Sequence, residues 1–477
     1  MTEKEKRGSN GLALKAGFWY VISNFLVKGI AFITTPIFAR LMSEADYGEF
    51  SNFASWQTTL FLISGVELYS TLNRAYYDYT EDYDKYVSSI TFLSFVITAL
   101  FYVVFMLCGD AIYRIVSIPK EYVHLLFVFL LFQSCKEIYM AREKTLYHYK
   151  SVAAMSVINL IFPTLVAVIM VILSDETNHL AARIYGFYIP SAIVGAFCAV
   201  SILRRANTIK IDHCKYAIKL SMPLMVHFLT AYLLSSSNTI VTKSVLNAEA
   251  AAVVSITTSA VHILTILLQA VSGAVTTWLM DNLEQKKYAE LRKSLLIYAA
   301  CVCVAAVGVI LFGPEVIWIL GGAKYSQAVT LLPGMIVAVT IQSITTVFTI
   351  ILTYKKRVVG AAVCTAVVAG ISIAAKILLL PCYGIEILPW INIVAYGVLF
   401  VCDYMLVCKS GNSNVINMKG FSGCVLLLCL LIPVCGFLYS NVLVRYGIIA
   451  CIGMVVLVML YKKRALVMSL IKKKLKK

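Results

Sequence analysis

The chain has 477 residues, 60% hydrophobic and only 14% charged, with a formal net charge of +17 and a mean hydropathy of +0.85. A soluble domain carries about a quarter charged residues, so this balance excludes a water-soluble globular protein. A nucleic-acid surface is excluded too, because the positive residues fall in alternate loops between apolar runs, each long enough to cross ~30 Å of hydrocarbon.

The chain opens on MTEKEKRGSNGLALK, which is charged. No small-residue cleavage site follows the first apolar run, so that run is expected to stay as a membrane helix rather than leave as a signal peptide. Fourteen spans are expected, at residues 16–39, 49–72, 87–108, 122–140, 151–173, 182–203, 218–242, 250–276, 294–313, 328–353, 358–380, 384–407, 420–440 and 443–461. With the N-terminus inside, cytoplasmic segments hold 31 of the 41 Lys and Arg, whereas outer loops hold seven: Arg40, Arg114, Lys120, Arg183, Lys243, Lys324 and Arg445. That bias puts both termini in the cytoplasm. The tail KKRALVMSLIKKKLKK either lies against anionic headgroups or is an ordinary stop-transfer flank.

No loop exceeds about sixteen residues, which leaves no room for a soluble catalytic domain. The fourteen cysteines lie mostly inside apolar runs, where they act as small hydrophobes, with no CxxC or Cys/His ligand spacing. A phosphate loop of the GxxxxGK[ST] type is also missing. No metal and no cofactor is expected.

Shifted by 204 residues, LKAGFWYVISN from Leu14 faces IKLSMPLMVHF from Ile218, and LMSEADYGEFS from Leu41 faces VLNAEAAAVVS from Val245. An even number of spans precedes each copy, so the two halves would be parallel repeats, a plan that sets a substrate site between them.

Four ionisable residues fall deep in the expected spans: Lys28, Glu67, His227 and His262, in spans one, two, seven and eight. Each sits on a polar stripe at helical spacing. Span one has Asn24, Lys28 and Thr35; span two has Ser64, Glu67, Thr71 and Arg74. Span seven has His227, Ser235 and Asn238, and span eight has Ser255, Thr258, Ser259, His262, Thr265 and Gln269. Faces this polar should line a cavity or bond a neighbouring helix, not meet lipid. Lys28 either serves a wet cavity or pairs with Glu67. Lys136, Glu137, Lys376, Glu386 and Asp403 lie nearer span ends and are expected to snorkel to the interface.

Three stretches carry a resemblance. PIFARLMSEADYGEFSNFASW, from Pro36, is similar to the first-span exit of polysaccharide flippases of the Wzx type, members of the multidrug/oligosaccharidyl-lipid/polysaccharide (MOP) exporter superfamily. Their pattern Ala-Arg-Leu-Leu-Ser-x-x-x-Tyr-Gly is met by Ala39, Arg40, Leu41, Ser43, Tyr47 and Gly48. SMPLMVHFLTAYLLSSSNTIVTKSVL, from Ser221, resembles the Ser-Leu-Pro-Leu-x-Pro-His stretch, keeping Ser221, Pro223, Leu224, His227 and the serine run, with Asn238-Thr239 where the family often has Asp-Arg. PEVIWILGGAKYSQAVTLLP, from Pro314, resembles the short outer loop before the tenth span.

The resemblance implies an all-α polytopic membrane protein of about 14 transmembrane helices. A cytoplasmic segment (1–15) would lead into a six-helix lobe over 16–205 and a second over 206–410. Two more helices over 411–461 and a basic tail over 462–477 would follow. It implies a bacterial cell-membrane flippase that moves an undecaprenyl-diphosphate-linked oligosaccharide to the outer leaflet. Its partners would be that glycan and membrane lipids, together with a polysaccharide polymerase and glycosyltransferases, and not nucleic acid. Lys28 would supply cavity charge for a diphosphate or acidic sugar, and Arg74 would guide entry at the inner mouth. Asn24, Thr35, Thr258 and Gln269 would line the cavity, with Glu67, His227 and His262 as candidates for ion coupling. The alternatives in the superfamily are a multidrug/cation antiporter and a lipid II or teichoic-acid flippase. A membrane glycosyltransferase or polymerase is the alternative from another class, and it calls for a large outer loop or an acidic metal motif, neither of which is present.

Overall fold

The computed structural model describes residues 29–30, 32–109, 112, 116–355, 357–411 and 413–462. Among them the regular structure is helical, without strands. The first part runs α1 (Phe32–Leu41), α2 (Glu44–Gly65), α3 (Leu72–Asp78), α4 (Tyr83–Leu107), α5 (Val123–Thr145), α6 (Tyr149–Leu173) and α7 (His179–Leu203). It continues with α8 (Ile211–Val245), α9 (Ala248–Glu284), α10 (Tyr288–Leu311), α11 (Gly313–Gly321) and α12 (Ala328–Tyr354). The last four are α13 (Val358–Tyr383), α14 (Leu388–Lys409), α15 (Met418–Ser440) and α16 (Val442–Lys462). Ten helical stretches among the described residues are long and apolar enough to cross a membrane, one of them running through both α13 and α14. The all-α, polytopic architecture is as expected.

Large apolar side chains such as Leu100, Leu165, Val367 and Val394 are exposed along these helices, as a surface facing hydrocarbon requires. Between helices in such a setting the hydrophobic effect is weak, and close packing decides instead. Gly195 on α7 shows how close the packing is, since a Cβ there would lie 2.3 Å from the Phe132 carbonyl oxygen of α5.

Two helices begin with the same device, 204 residues apart. Ser43 stands before α2 and accepts a hydrogen bond from the Asp46 amide, and Asn247 stands before α9 and accepts one from the Ala250 amide. Each cap satisfies an orphan donor of the first turn and is worth ~1 kcal/mol. Glu44 and Asp46 in one first turn, and Glu249 in the other, complement the positive end of the helix dipole. These two starts touch. A Cβ on Gly48 would fall 1.8 Å from the Ala248 carbonyl oxygen, so only glycine lets the backbones cross there.

Several expectations change. The second span does not run to 72 as one helix. Val66 and Glu67 both adopt left-handed backbone (φ 46° and 52°), and a 3-10 turn, Leu68–Thr71, leads into the short α3. Two such residues in succession end a helix, so Ser64, Glu67, Thr71 and Arg74 do not share one face. At 35 and 37 residues, α8 and α9 are longer than a bilayer needs. Lys376 does not snorkel: it is fully buried where α13 packs on α8, and its Nζ donates to Ser237 Oγ at 2.8 Å. Asp403 is buried as well, accepting from Thr349 Oγ1 at 3.4 Å.

Apolar cores centre on Leu72, Tyr86 and Ile138, and on Phe53, Leu126 and Tyr188. The largest core runs from Phe38 to Cys435, and joins Met42, Tyr47 and Ala182 to residues of α8–α15.

Candidate functional site

Three polar stripes converge between α2, α8 and α9. On α2, Tyr47, Ser51, Ser55 and Thr58 recur at three- and four-residue steps; so do Tyr232, Ser235, Ser236 and Thr239 on α8, and Ser255, Thr258, Ser259 and His262 on α9. That spacing stacks side chains on one face of a helix. The faces enclose a cavity of about 460 Å³, completed by Phe50, Ala54 and Arg183 of α7. The polar load explains why α2 is not among the ten apolar stretches.

Most of the hydroxyls donate to their own helix. Ser51 bonds the Tyr47 carbonyl at 2.8 Å, Thr258 that of Val254 at 2.8 Å and Ser259 that of Ser255 at 3.0 Å. Each keeps acceptor capacity toward the cavity and can rotate to donate instead. Tyr232 reaches across from α8 to the Ser55 carbonyl of α2 at 3.3 Å.

Arg183 is the charged member. Its guanidinium lies 3.6 Å from the ring centre of Phe50, 4.1 Å from that of Phe38 and 4.9 Å from that of Tyr47. Nη1 reaches Met42 Sδ at 3.3 Å, and Nε is buried without a partner. No carboxylate pairs with it, and none lines the cavity among the described residues. Ring faces contribute about 0.5–2 kcal/mol each, against several kcal/mol for desolvating an ion. Among the described residues the guanidinium is thus held by rings, a thioether and the Tyr47 side chain, with no anion to balance it.

A second, smaller cavity of about 200 Å³ adjoins the first, sharing Ser235, Thr258 and His262 and extending between α9, α12 and α14.

The two ends of the bundle differ. Where α1 gives way to α2, ties cross to the later helices: Lys243 Nζ to Glu49 at 3.1 Å, Lys324 Nζ to the Met42 carbonyl at 2.7 Å and an Arg40 nitrogen to the Trp318 carbonyl at 3.1 Å. At the end holding α3, the ion pairs among the described residues join residues 74–210 to one another. Arg142 meets Asp84 at 2.7 Å and Glu143 at 2.6 Å, while Arg205 meets Glu143 at 3.1 Å.

Of the residues chosen from sequence, Thr258 and His262 lie on the cavity wall. Gln269 is exposed farther along α9 and Thr35 is half-buried on α1. Glu67 is buried at the helix break, where its carboxylate accepts from Tyr69 Oη at 3.0 Å and Ser70 Oγ at 2.8 Å. Arg74 is exposed and pairs with Asp78 at 3.0 Å. His227, half-buried on α8, leaves Nδ1 buried without a partner. Asn24 and Lys28 lie outside the described residues. Sequence reasoning missed Arg183, counted as a loop cation because it stands only four residues into α7. It also missed the α2 stripe, although Ser51, Ser55 and Thr58 carry its spacing.

A family profile described as polysaccharide biosynthesis protein matches residues 13–280, more than half of the chain. The chain belongs to the polysaccharide biosynthesis protein family. None of the curated proteins matches it at the sequence level. In fold it is similar to the lipid II flippase MurJ in an inward closed conformation, at a TM-score of 0.67 and 14% identity over 94% of this chain and 99% of that one. It is also similar to an inward-facing multidrug resistance MATE family transporter of the MOP superfamily (TM-score 0.61, 11% identity, 80% of this chain and 94% of the other). A third likeness is to a MOP superfamily transporter from Pyrococcus furiosus Vc1, described by a binding pocket of reverse polarity (TM-score 0.53, 12% identity, 84% and 99%). At 11–14% identity these are likenesses of fold; with the apolar helical stretches among the described residues they fit a multi-pass membrane member of the polysaccharide biosynthesis protein family.

Proposed function

We propose that this polysaccharide biosynthesis family member flips an undecaprenyl-diphosphate-linked oligosaccharide repeat unit from the cytoplasmic to the outer leaflet of a bacterial cell membrane. The observation that carries the reading is Arg183: a buried guanidinium, unpaired by any carboxylate among the described residues, on the wall of a cavity lined mostly by hydroxyl groups, aromatic rings and His262. In a low-dielectric site such a cation attracts a diphosphate strongly, and hydroxyls match the polar head that must leave water. A cavity built for cationic drugs would present carboxylates instead.

With the N-terminus inside, the end tied by Lys243, Lys324 and Arg40 faces outward. The head group then enters from the cytoplasmic side and meets Arg183 near the closed end. Lys28 belongs to the same reading as a second source of positive potential. His262, on the wall of both cavities, is the coupling candidate best placed to sense the head group. The step makes and breaks no covalent bond, so it calls for positioning and alternate opening, not for a nucleophile.

The test is deletion of the gene followed by analysis of lipid-linked glycans by leaflet. A diphosphate-linked oligosaccharide should accumulate on the cytoplasmic face and surface polysaccharide should fall, both reversed by the wild-type gene. Normal surface polysaccharide, together with lost cation efflux, would overturn the proposal in favour of an antiporter.

A further inference from the structure

The smaller cavity holds chemistry that the larger one lacks. Its walls bring together the amides of Asn238, Gln342 and Asn392 with Thr265, His262 and Tyr396, and no carboxylate is among the lining residues. Asn238 and Asn392 are only 4% and 2% exposed. Asn392 Nδ2 donates to Asn238 Oδ1 at 3.1 Å, and this orients the pair while leaving Asn392 Oδ1 buried with no partner. An unmet acceptor in such a place costs ~1–3 kcal/mol, which a ligand hydroxyl would recover.

We infer that this cavity is a sugar subsite, binding an uncharged pyranose ring of the glycan through the amides of Asn392, Asn238 and Gln342. The inference rests on the proposed glycan-flipping role. Side-chain amides offer a donor and an acceptor side by side, the match for vicinal hydroxyls, and Tyr396 gives the ring an aromatic neighbour. A metal cation is disfavoured. No carboxylate lines the wall, and behind it the buried Lys376 Nζ donates to the hydroxyl of Ser237, the neighbour of Asn238. The division of labour follows from the shared edge at Ser235, Thr258 and His262. The larger cavity meets the diphosphate at Arg183, and the smaller one meets a sugar next to it.

Binding to the purified full-length protein in lipid nanodiscs separates the two claims. The probes are geranyl diphosphate and a panel of geranyl-diphosphate-linked hexoses and N-acetylhexosamines. Wild type should bind at least one sugar-bearing probe about tenfold more tightly than geranyl diphosphate, the worth of one well-made buried hydrogen bond. Asn392→Leu and Gln342→Leu should each cut that advantage to threefold or less, leaving geranyl diphosphate binding unchanged. Gln342 is exposed within the cavity, so its variant keeps the test valid if Asn392→Leu unfolds. Arg183→Ala should weaken every probe alike. A sugar advantage that survives in both leucine variants, or that is absent from wild type for the whole panel, overturns the subsite while leaving the flippase reading intact. So does competition of sodium ions with the sugar-bearing probe. Failure of wild type to bind geranyl diphosphate at all would sink the flippase reading itself.

Discussion

Arg183 and Lys376 are both basic residues in apolar surroundings and neither meets a carboxylate among the described residues, yet their settings differ. Arg183 lies among three aromatic rings on the wall of the larger cavity. Lys376 is sealed between α13 and α8, with the Ser237 hydroxyl as its acceptor. The desolvation argument alone would treat them alike. Access to the cavity separates them: a cation that a ligand can reach is a recognition group, and one that it cannot reach must be tolerated by the fold.

The sharpest way to break the contrast is to remove each charge. Arg183→Ala should lower surface polysaccharide per membrane-inserted molecule roughly a hundredfold, as expected when one partner of a desolvated charge pair is truncated. Arg183→Lys should recover part of the loss, because the charge remains while the planar fork is gone. Lys376→Met should stay within about threefold of wild type, and equal losses at both positions would erase the distinction. Next in size is Gly48→Leu, which forces a side chain into the Ala248 carbonyl. It should lower thermal stability by about 1–3 kcal/mol and reduce export in step, and an unchanged melting temperature would deny the close crossing.

Lys376→Met should raise the melting temperature of the purified protein, by about 1–2 kcal/mol of added stability, because an apolar isostere spares the desolvation of a buried amine. A fall of that size would mean the lysine holds α13 on α8. The caps come next: Ser43→Ala and Asn247→Ala should each cost ~1 kcal/mol, and similar values would support equivalent roles 204 residues apart. The smallest effect concerns pH. Hydrogen bonds from Lys210 and then Lys85 push the Asp82 carboxyl down to about 2 from its ordinary value of 3.8. A depressed carboxyl stabilises above its unfolded value, and that contribution fades as pH falls through the folded one. The stability difference between wild type and Lys210→Met should therefore hold constant from pH 7 to pH 5 and shrink only below about pH 4.

The helical architecture was legible because apolar runs and alternate-loop charge are strong, local signals. The stripe on α9 was legible for the same reason, and it brought Thr258 and His262 to the wall. The α2 wall was not, because charged residues farther along drew attention to Glu67 and Arg74. Glu67 sits in, and Arg74 beyond, a break that Val66 and Glu67 make in left-handed backbone, and the single Gly65 before it is a weak mark inside an apolar run. Arg183, counted with an outer loop, and Lys376, expected to snorkel, were both placed by their nearness to a span end. Distance from a helix end predicts snorkelling only on a face that meets lipid, and which face meets lipid is settled by packing partners hundreds of residues away.

The crossing of α2 and α9 at Gly48 and Ala248 has a mechanical consequence. Side chains are thin there, and the two backbones meet almost directly. From that crossing α9 runs for 37 residues, about 55 Å at the rise of an α-helix. A rotation of about 10° would sweep its far end through about 10 Å. Any rotation about that crossing would carry a small angular change at one end of α9 into a wide displacement at the other.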